Sequence, residues 1–166
     1  ELGFELPEHG PQSQDKLIER LSALQGPKIF IDATGSREWA DVYPDLLRVG
    51  VGIVTPNKHA FAGSYSRWQQ LHDHAAAAGL PLHYETTVGA ALPVLSTLQS
   101  LRQRGERIVA IEGVLSGSLS FILDQLQAGK RLSEAVAEAI QLGYTEPDPL
   151  EDLCFRDVCR KLLILS

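Results

Sequence analysis

The ionisable side chains of this 166-residue chain are densest near its C-terminal end, between Gly143 and Leu165. This stretch combines a glycine, a turn with two prolines and the start of an apolar helix. It carries carboxylates and two adjacent cations, at Glu146, Asp148, Glu151, Asp152, Asp157, Arg160 and Lys161. A turn that only reverses the chain does not need so many charges. The pattern indicates either a site or a solvated surface, and by itself it leaves both interpretations open.

Asp157 and Lys161 are four residues apart, so on a helix their side chains are neighbours. As an exposed ion pair they would contribute only about a few tenths of a kcal/mol. However, Leu153 and Ile164 flank their side of the helix, which indicates a mixed face rather than a purely solvated one. On such a face, a lysine held by a carboxylate can act as a proton donor or as the partner of an oxyanion.

Two further carboxylates, Glu146 and Asp152, bracket the turn that contains Pro147 and Pro149. Proline restricts the backbone, so neighbouring carboxylates can be oriented at little entropic cost, which suits the capture of an ammonium group. The alternative is an ordinary acidic entry into a helix, in which Asp152 interacts with the helix dipole. Both interpretations stay open at the level of sequence.

The N-terminal third predicts a strand, helix, strand unit. Strands are expected from Ile29 to Ala33 and from Val51 to Val54, joined by a helix that Ser36 can cap. Such a unit is typical of a parallel, doubly wound α/β sheet, which binds ligands at the carboxyl ends of its strands. Thr34 and Lys58 follow the two strands, although Lys58 also fits a surface loop. The chain has no GxGxxG phosphate loop, so as a Rossmann-like dinucleotide-binding domain it would lack the glycine-rich half.

The remainder mixes helices and strands in a different order, and we predict a domain boundary near Ala62. Residues 1–62 would then be the C-terminal part of the nucleotide-binding domain. Residues 63–166 would form an α+β domain with a mixed sheet, including a strand from Ile108 to Leu115. Glu85 and the small-residue turn after it form a weak pattern for a cation site with hard oxygen ligands. Ser116 or Ser118 can cap a helix or offer a hydroxyl to a ligand.

Composition excludes several classes of partner. The formal charge is −6 and no Lys/Arg face is evident, which argues against nucleic acid and against an anionic membrane. We expect a small molecule or another protein subunit instead. No apolar run reaches membrane-spanning length and no signal-peptide pattern is present, which predicts a cytoplasmic protein. Cys154 and Cys159 fit neither a disulfide framework nor a metal knuckle, and the histidines share no ligand spacing.

Five segments, in this order and at these intervals, resemble homoserine dehydrogenase: TPNKHA, YETTVGAALPV, EGVLSGSLSFI, LGYTEPDP and EDLCFRDVCRKLLIL. The resemblance covers most of the chain, from about Ile31 onward. It implies a nicotinamide-dependent oxidoreductase that uses NAD or NADP to interconvert L-homoserine and L-aspartate 4-semialdehyde, on the route to threonine and methionine. It also implies a homodimer built through the second domain.

The resemblance further implies a role for each matching residue. Lys161 looks like the proton donor and acceptor at the substrate oxygen. The residues that match substrate-binding positions are Glu146, Asp152, Asp157, Gly117 and Ser118. Those that match nucleotide-binding positions are Thr34, Lys58 and Gly143. Those that match a monovalent cation site, expected to hold sodium, are Glu85 and the backbone of Val88, Ala90 and Leu92.

The chain departs from the family pattern at Cys154, Phe155 and Cys159, where a Ser-Gly pair and an alanine are common. Gly35 also replaces a more usual Ser or Ala. The absence of the glycine-rich nucleotide loop supports an alternative hypothesis. In that hypothesis the chain is a catalytically incompetent fragment that serves as a folded substrate-binding and dimerisation domain.

Overall fold

The computed structural model describes residues 11–145 and 148–166, of which residues 11–13 are described by their backbone alone. The chain divides into two compact units, one up to Thr87 and one from Val88 to Ser166.

The first unit is built on a three-stranded parallel sheet. Its strands are β1 (Lys28–Ile31), β2 (Val51–Val54) and β3 (Leu82–His83), in the spatial order β1-β2-β3. Lys28 pairs with Val51, and Ile53 pairs with Leu82. Parallel strands require crossover connections, and helices supply them here. The α/β fold class expected from the sequence is confirmed, as is the strand at Val51–Val54.

The helices of the first unit are α1 (Pro11–Ala23), α2 (Arg37–Asp41), α3 (Tyr43–Arg48) and α4 (Tyr65–Ala78). Ser36 caps α2, because its Oγ accepts a hydrogen bond from the Trp39 amide. One continuous helix was expected from Ser36 onward, but the structure has two, α2 and α3. Pro44 lies at the start of α3 and has no N–H to donate, so the helix restarts there.

The core of the first unit lies between the sheet and its crossover helices. Its largest fully buried side chains include Tyr43, Leu46, Ile53, Phe61 and Leu71. These residues come from α3, β2, the loop after β2, and α4. These five side chains therefore tie the sheet of the first unit to the helices and loop that connect its strands.

The division after Thr87 differs from the boundary predicted near Ala62. Helix α4 and strand β3 were assigned to the second domain, yet β3 pairs with β2 and α4 packs on α3. A single 3-10 turn, Glu85–Thr87, ends the first unit. The physical reason is that the backbone of β3 pairs with the β2 edge of the parallel sheet, a non-local contact that joins this segment to the first unit.

The described residues of the second unit are helical or irregular. The helices are α5 (Val94–Gln103), α6 (Gly117–Gln127), α7 (Leu132–Gln141), α8 (Pro149–Leu153) and α9 (Arg156–Leu165). Helices α6 and α7 pack closely because Ala135 and Ala139 of α7 face Ile122 of α6. Small side chains on α7 let the two helix backbones approach. Among the helices of the described chain, none has both the length and the apolar character needed to cross a bilayer.

The strand predicted from Ile108 to Leu115 does not form. This segment lies outside regular secondary structure, and within residues 88–145 and 148–166 no strand is available to pair with it. Val109 and Val114 are 86% and 79% exposed. An apolar, β-branched run forms a strand only when a second backbone segment is available to pair with it by hydrogen bonds. The predicted mixed sheet is therefore not formed within the described residues.

Helices α8 and α9 are separated by a residue with an unusual backbone. Phe155 has φ 57, in the left-handed region, while its side chain is 53% exposed. This conformation costs a non-glycine residue about 1–2 kcal/mol. The turn redirects the chain so that α9 begins at Arg156 as a separate helix.

We expect Phe155→Gly to stabilise the protein by about 1 kcal/mol, because glycine adopts a positive φ without a steric penalty. The free energy of unfolding measured in urea tests this. Phe155→Ala is the matched control, since it also removes the aromatic ring but keeps a Cβ. Equal stability of the two variants would show that the backbone at this position carries no strain.

An aromatic cluster in the first unit contains a titratable group. The His72 ring lies 4.1 Å from Trp68 between ring centroids, and His72 Nε2 lies 3.0 Å from the Tyr84 hydroxyl. Burial lowers the pKa of His72 below its ordinary value, although the neighbouring Asp73 carboxylate acts in the opposite direction. The folded state therefore favours neutral His72.

Because this pKa is lower in the folded state than in the unfolded state, stability should fall as the pH drops below about 6.5, where the unfolded histidine takes up a proton. His72→Gln should reduce that loss between neutral pH and pH ~5, as measured by urea unfolding at several pH values. His83→Gln, at an exposed position, is the control and should keep the loss because it retains His72. An unchanged pH slope in His72→Gln would refute this role.

Candidate active site

The second unit contains a cavity of ≈ 670 Å³ that brings together Gly143, Asp152, Asp157 and Lys161 from the stretch near the C-terminal end. It lies among the start of α6, the segment after α7, and helices α8 and α9. The lining residues are Ser116, Gly117, Ser118, Phe121, Gly143, Tyr144, Thr145, Asp152, Asp157 and Lys161.

One wall of the cavity is an ion pair on α9. Lys161 Nζ lies 2.6 Å from Asp157 Oδ2, and the two side chains are only 19% and 18% exposed. Lys161 Nζ also donates a 2.6 Å hydrogen bond to the carbonyl oxygen of Leu115. The pair is therefore largely shielded from solvent and is not the exposed surface pair that the sequence left open.

The ammonium group of Lys161 retains capacity for a ligand. It has three N–H donors. Among the described residues, the Asp157 carboxylate and the Leu115 carbonyl accept two of these hydrogen bonds. That leaves one N–H for an oxygen atom in the cavity. Shielding from water strengthens such a hydrogen bond.

A second part of the cavity lining is a cluster of two hydroxyls and a carboxylate. Ser118 Oγ donates a 2.6 Å hydrogen bond to Asp152 Oδ1, and it lies 2.9 Å from Ser116 Oγ. Ser118 and Asp152 are 6% and 7% exposed. Ser116 caps α6 by accepting from the Leu119 amide, so the capping role considered for this loop is confirmed for Ser116.

The carboxylates of Asp152 and Asp157 make this cavity suited to a positively charged group. Gly117 lines the cavity at the first position of α6. Gly143 follows α7 with φ 70, a conformation that favours glycine, and it also lines the cavity. Glu146, predicted to bind the same ligand, lies outside the described residues.

Several contributors were not predicted from the sequence. Phe121 and Tyr144 line the cavity and pack edge to face, with ring centroids 5.1 Å apart. Tyr144 directly follows Gly143, which was predicted to be a site residue, and this adjacency is the sequence signal that could have identified Tyr144. The Leu115 carbonyl could not have been found from residue type, because every residue carries one.

The predicted nucleotide-binding residues of the first unit follow the sheet. Thr34 lies in the loop after β1, and Lys58 lies in the loop after β2. Since β1 and β2 are parallel, both loops leave the sheet at its carboxyl edge. Gly143, the third predicted contact, belongs to the second unit.

The predicted cation ligands also belong to different units. Glu85 begins the 3-10 turn of the first unit. In the second unit Val88 is buried, Ala90 has φ 50, and Leu92 is exposed and donates its amide to Gly89 at 2.9 Å. Within the described residues no group of three or more His, Cys, Asp or Glu side chains is placed to hold a metal. The predicted set is mainly backbone carbonyls, so its role stays a prediction.

Comparison with known proteins identifies relatives over nearly the whole chain. A family profile described as "Homoserine dehydrogenase" matches residues 93–166, and one described as "Homoserine dehydrogenase, NAD binding domain" matches residues 6–85. The homoserine dehydrogenase of Paracoccidioides brasiliensis is 43% identical over 95% of this chain and 44% of its own length. The bifunctional aspartokinase/homoserine dehydrogenase of Haemophilus influenzae is 45% identical over 94% of this chain and 19% of its own length.

A solved structure supports the same relationship. A hyperthermophilic archaeal homoserine dehydrogenase in complex with NADPH matches with a TM-score of 0.79 and 32% identity, over 92% of this chain and 45% of that chain. This chain thus spans less than half the length of these relatives. The two profiles, the sequence identities and the shared fold agree, and the chain belongs to the homoserine dehydrogenase family.

Proposed function

We propose that this chain acts in the NAD(P)-dependent interconversion of L-homoserine and L-aspartate 4-semialdehyde. The observation that carries the proposal is the shielded ammonium of Lys161, held by Asp157 and Leu115 at the wall of a cavity. Membership of the homoserine dehydrogenase family supports the choice of reaction.

The first unit suits a nicotinamide nucleotide. The loops that carry Thr34 and Lys58 leave the same edge of a parallel sheet, which is where such folds bind nucleotides. When bound, the nicotinamide supplies or accepts the hydride. The protein contributes position and charge. In the reducing direction the aldehyde carbon gains the hydride and its oxygen gains a proton.

Lys161 provides that proton in the proposed mechanism. Its remaining N–H donates to the carbonyl oxygen of the substrate and stabilises the negative charge that develops there. In the oxidising direction the amine takes the hydroxyl proton back. Asp157 holds the ammonium in place through the 2.6 Å ion pair, so the donor does not have to be ordered during the reaction.

The cavity carboxylates bind the other end of the substrate. We propose that Asp152, Asp157 and Glu146 attract its ammonium group, and that Gly117 and Ser118 border it. Ser118 orients Asp152 through the 2.6 Å hydrogen bond. Support comes from the burial of this pair, since a buried carboxylate with a fixed donor is preorganised for a cationic group.

Lys161→Ala should lower homoserine-dependent NADP reduction by about 10²–10⁴-fold, because a positioned proton donor is lost. Affinity for NADPH, followed by nucleotide fluorescence, should change little. Lys130→Ala is the control, since Lys130 forms an exposed ion pair with Glu138 and neither residue lines the cavity. Circular dichroism verifies folding. Wild-type turnover in Lys161→Ala would refute the assignment.

The fragment hypothesis is separated from this proposal by nucleotide binding. The specific observation behind it is that the sequence contains no GxGxxG phosphate loop. Titration of the wild-type chain with NADPH distinguishes the two. Saturable binding supports the dehydrogenase, and no binding at high micromolar nucleotide supports a substrate-binding and dimerisation domain.

We also propose that the protein forms a homodimer through the second unit. Support comes from residues 107–114, whose backbone groups make no hydrogen bonds to other described residues. Val109 and Val114 in this segment are largely exposed. An unpaired segment of apolar, β-branched residues is a suitable edge for strand addition by a second copy.

The combined substitution Val109→Lys and Val114→Lys should convert the dimer into a monomer, because charge on this segment opposes strand addition. Light scattering after gel filtration measures the mass. Tyr65→Lys, at an exposed aromatic residue of the first unit, is the control and should stay dimeric. A dimer in the doubly substituted protein would place the interface elsewhere.

Two minor assignments rest on the resemblance. We propose that Glu85 and the backbone of Val88, Ala90 and Leu92 bind a monovalent cation, with sodium as the expected ion. The cytoplasmic location stays a prediction, and plant relatives from Zea mays are named chloroplastic.

A further inference from the structure

A buried carboxylate joins the two loops that leave the sheet of the first unit. Asp32 directly follows β1 and is only 2% exposed. Its Oδ1 accepts hydrogen bonds from the amide of Thr34 at 2.8 Å and from the hydroxyl of Thr34 at 2.7 Å. Its Oδ2 accepts from the hydroxyl of Tyr43 at 2.5 Å and from Nδ2 of Asn57 at 3.0 Å.

The charge state of Asp32 fixes the direction of these hydrogen bonds. Burial acts to raise the pKa of Asp32, but hydrogen bonds from Tyr43, Thr34 and Asn57 outweigh it, and the pKa lies below its ordinary value. Burial and the Asp32 carboxylate together raise the pKa of Tyr43, so its hydroxyl keeps its proton. An ionised carboxylate can only accept. Each neighbouring group must therefore donate to it.

The consequence for Thr34 is a restriction on what it can offer a ligand. Its amide and its hydroxyl proton are both directed at Asp32. Its Oγ1 also accepts from the Ser36 amide at 3.1 Å, which uses one of two lone pairs. The side chain is otherwise exposed. The hydroxyl of Thr34 can therefore accept one further hydrogen bond, but it cannot donate one.

The second loop is held by the same group. Asn57 Nδ2 donates to Asp32 and also to the Ser36 carbonyl at 2.7 Å, while Asn57 Oδ1 accepts from the His59 amide at 3.0 Å. Lys58 lies between Asn57 and His59, so its backbone is fixed from both sides. Asp32 thus sets the positions of Thr34 and of the backbone at Lys58.

We propose that Asp32 is a positioning residue, which presents Thr34 Oγ1 as an acceptor to a hydrogen-bond donor of the nicotinamide nucleotide. The donor is either the carboxamide N–H or a hydroxyl of the nicotinamide ribose. The pyrophosphate bridge of the nucleotide is excluded, because its diester oxygens only accept at neutral pH and the Thr34 hydroxyl proton is already donated to Asp32. The inference rests on the proposed nucleotide binding by this protein.

Isothermal titration with NADPH tests the acceptor role. Thr34→Val should weaken binding by about five- to tenfold, the loss expected for one hydrogen bond, whereas Thr34→Ser should bind like wild type. Thr97→Val is the matched control, because the Thr97 hydroxyl donates to the Pro93 carbonyl on α5. Wild-type affinity in Thr34→Val, or an equal loss of affinity for inorganic pyrophosphate, would overturn the assignment.

Two analogues distinguish the sources of the donor. The acetylpyridine analogue of NADPH lacks the carboxamide N–H. If the carboxamide is the donor, Thr34→Val and wild type should bind this analogue with equal affinity. If a ribose hydroxyl is the donor, Thr34→Val should still bind the acetylpyridine analogue more weakly than wild type does. The two proteins should then bind an analogue that lacks the nicotinamide ribose hydroxyls with equal affinity. A loss that persists with both analogues would overturn the proposal.

The role of Asp32 is tested by coupling and by hydrogen exchange. Asp32→Ala should weaken NADPH binding at least as much as Thr34→Val, and adding Thr34→Val to it should cause no further loss, since a purely structural effect would be additive. If Asp32→Ala does not fold, Asp32→Asn replaces it, because an amide cannot accept at both ends. Additive losses would overturn the positioning role.

A ligand-free measurement separates this inference from the proposed function. In wild type the Thr34 amide should exchange slowly by NMR, and in the Asp32 variant it should exchange at least tenfold faster. Unchanged exchange overturns the positioning role. If wild type does not bind NADPH, the proposed function and the ligand assignment both fail, while the exchange data still decide whether Asp32 holds Thr34.

Discussion

A charge that is shielded from water must be surrounded by hydrogen-bond partners, and the chemistry of this chain depends on two charges that meet this requirement. In the second unit the ammonium of Lys161 is held by Asp157 and by the Leu115 carbonyl. In the first unit the carboxylate of Asp32 is held by neighbouring donors from two loops and α3. Asp32 directly follows β1, and the Leu115 carbonyl that accepts from Lys161 directly precedes the N-cap of α6. Backbone groups at such ends of elements are free to participate.

The two units obtain rigidity at their sites in different ways. The ion pair of Lys161 and Asp157 follows from helix geometry, since residues four apart are neighbours on α9. The Asp32 network instead joins segments distant in sequence, and it depends on the parallel pairing of β1 with β2. One arrangement is local and the other requires the whole α/β unit to be folded.

Much of the fold and of the candidate site could be predicted from the sequence. The alternation of short apolar segments with amphipathic helices predicted the parallel unit, because periodicity is a local property. The spacing of Asp157 and Lys161 predicted their contact for the same reason. The motif order identified the family, including the segment around Gly143 that lines the cavity.

What could not be predicted was non-local or carried by the backbone. The run from Ile108 to Leu115 has the composition of a strand, but composition does not supply the partner that a strand needs. The assignment of β3 to the first unit depends on pairing with Ile53, which no local pattern reveals. Likewise, the acceptor for Lys161 at Leu115 is 46 residues away along the chain and is a main-chain oxygen.

The span of the Asp32 network has a consequence for how the first unit folds. The hydrogen bond between Asp32 and Asn57 joins residues 25 positions apart, so it can form only after the intervening crossover has closed. Closing such a loop costs conformational entropy before any contact compensates for it. The carboxylate is therefore expected to become enclosed late, after the strands have paired. Its hydrogen bonds would then mainly slow unfolding, because they are absent from the transition state for folding. The loops at the sheet edge would be held by a slow rate of unfolding as well as by the equilibrium stability of the unit.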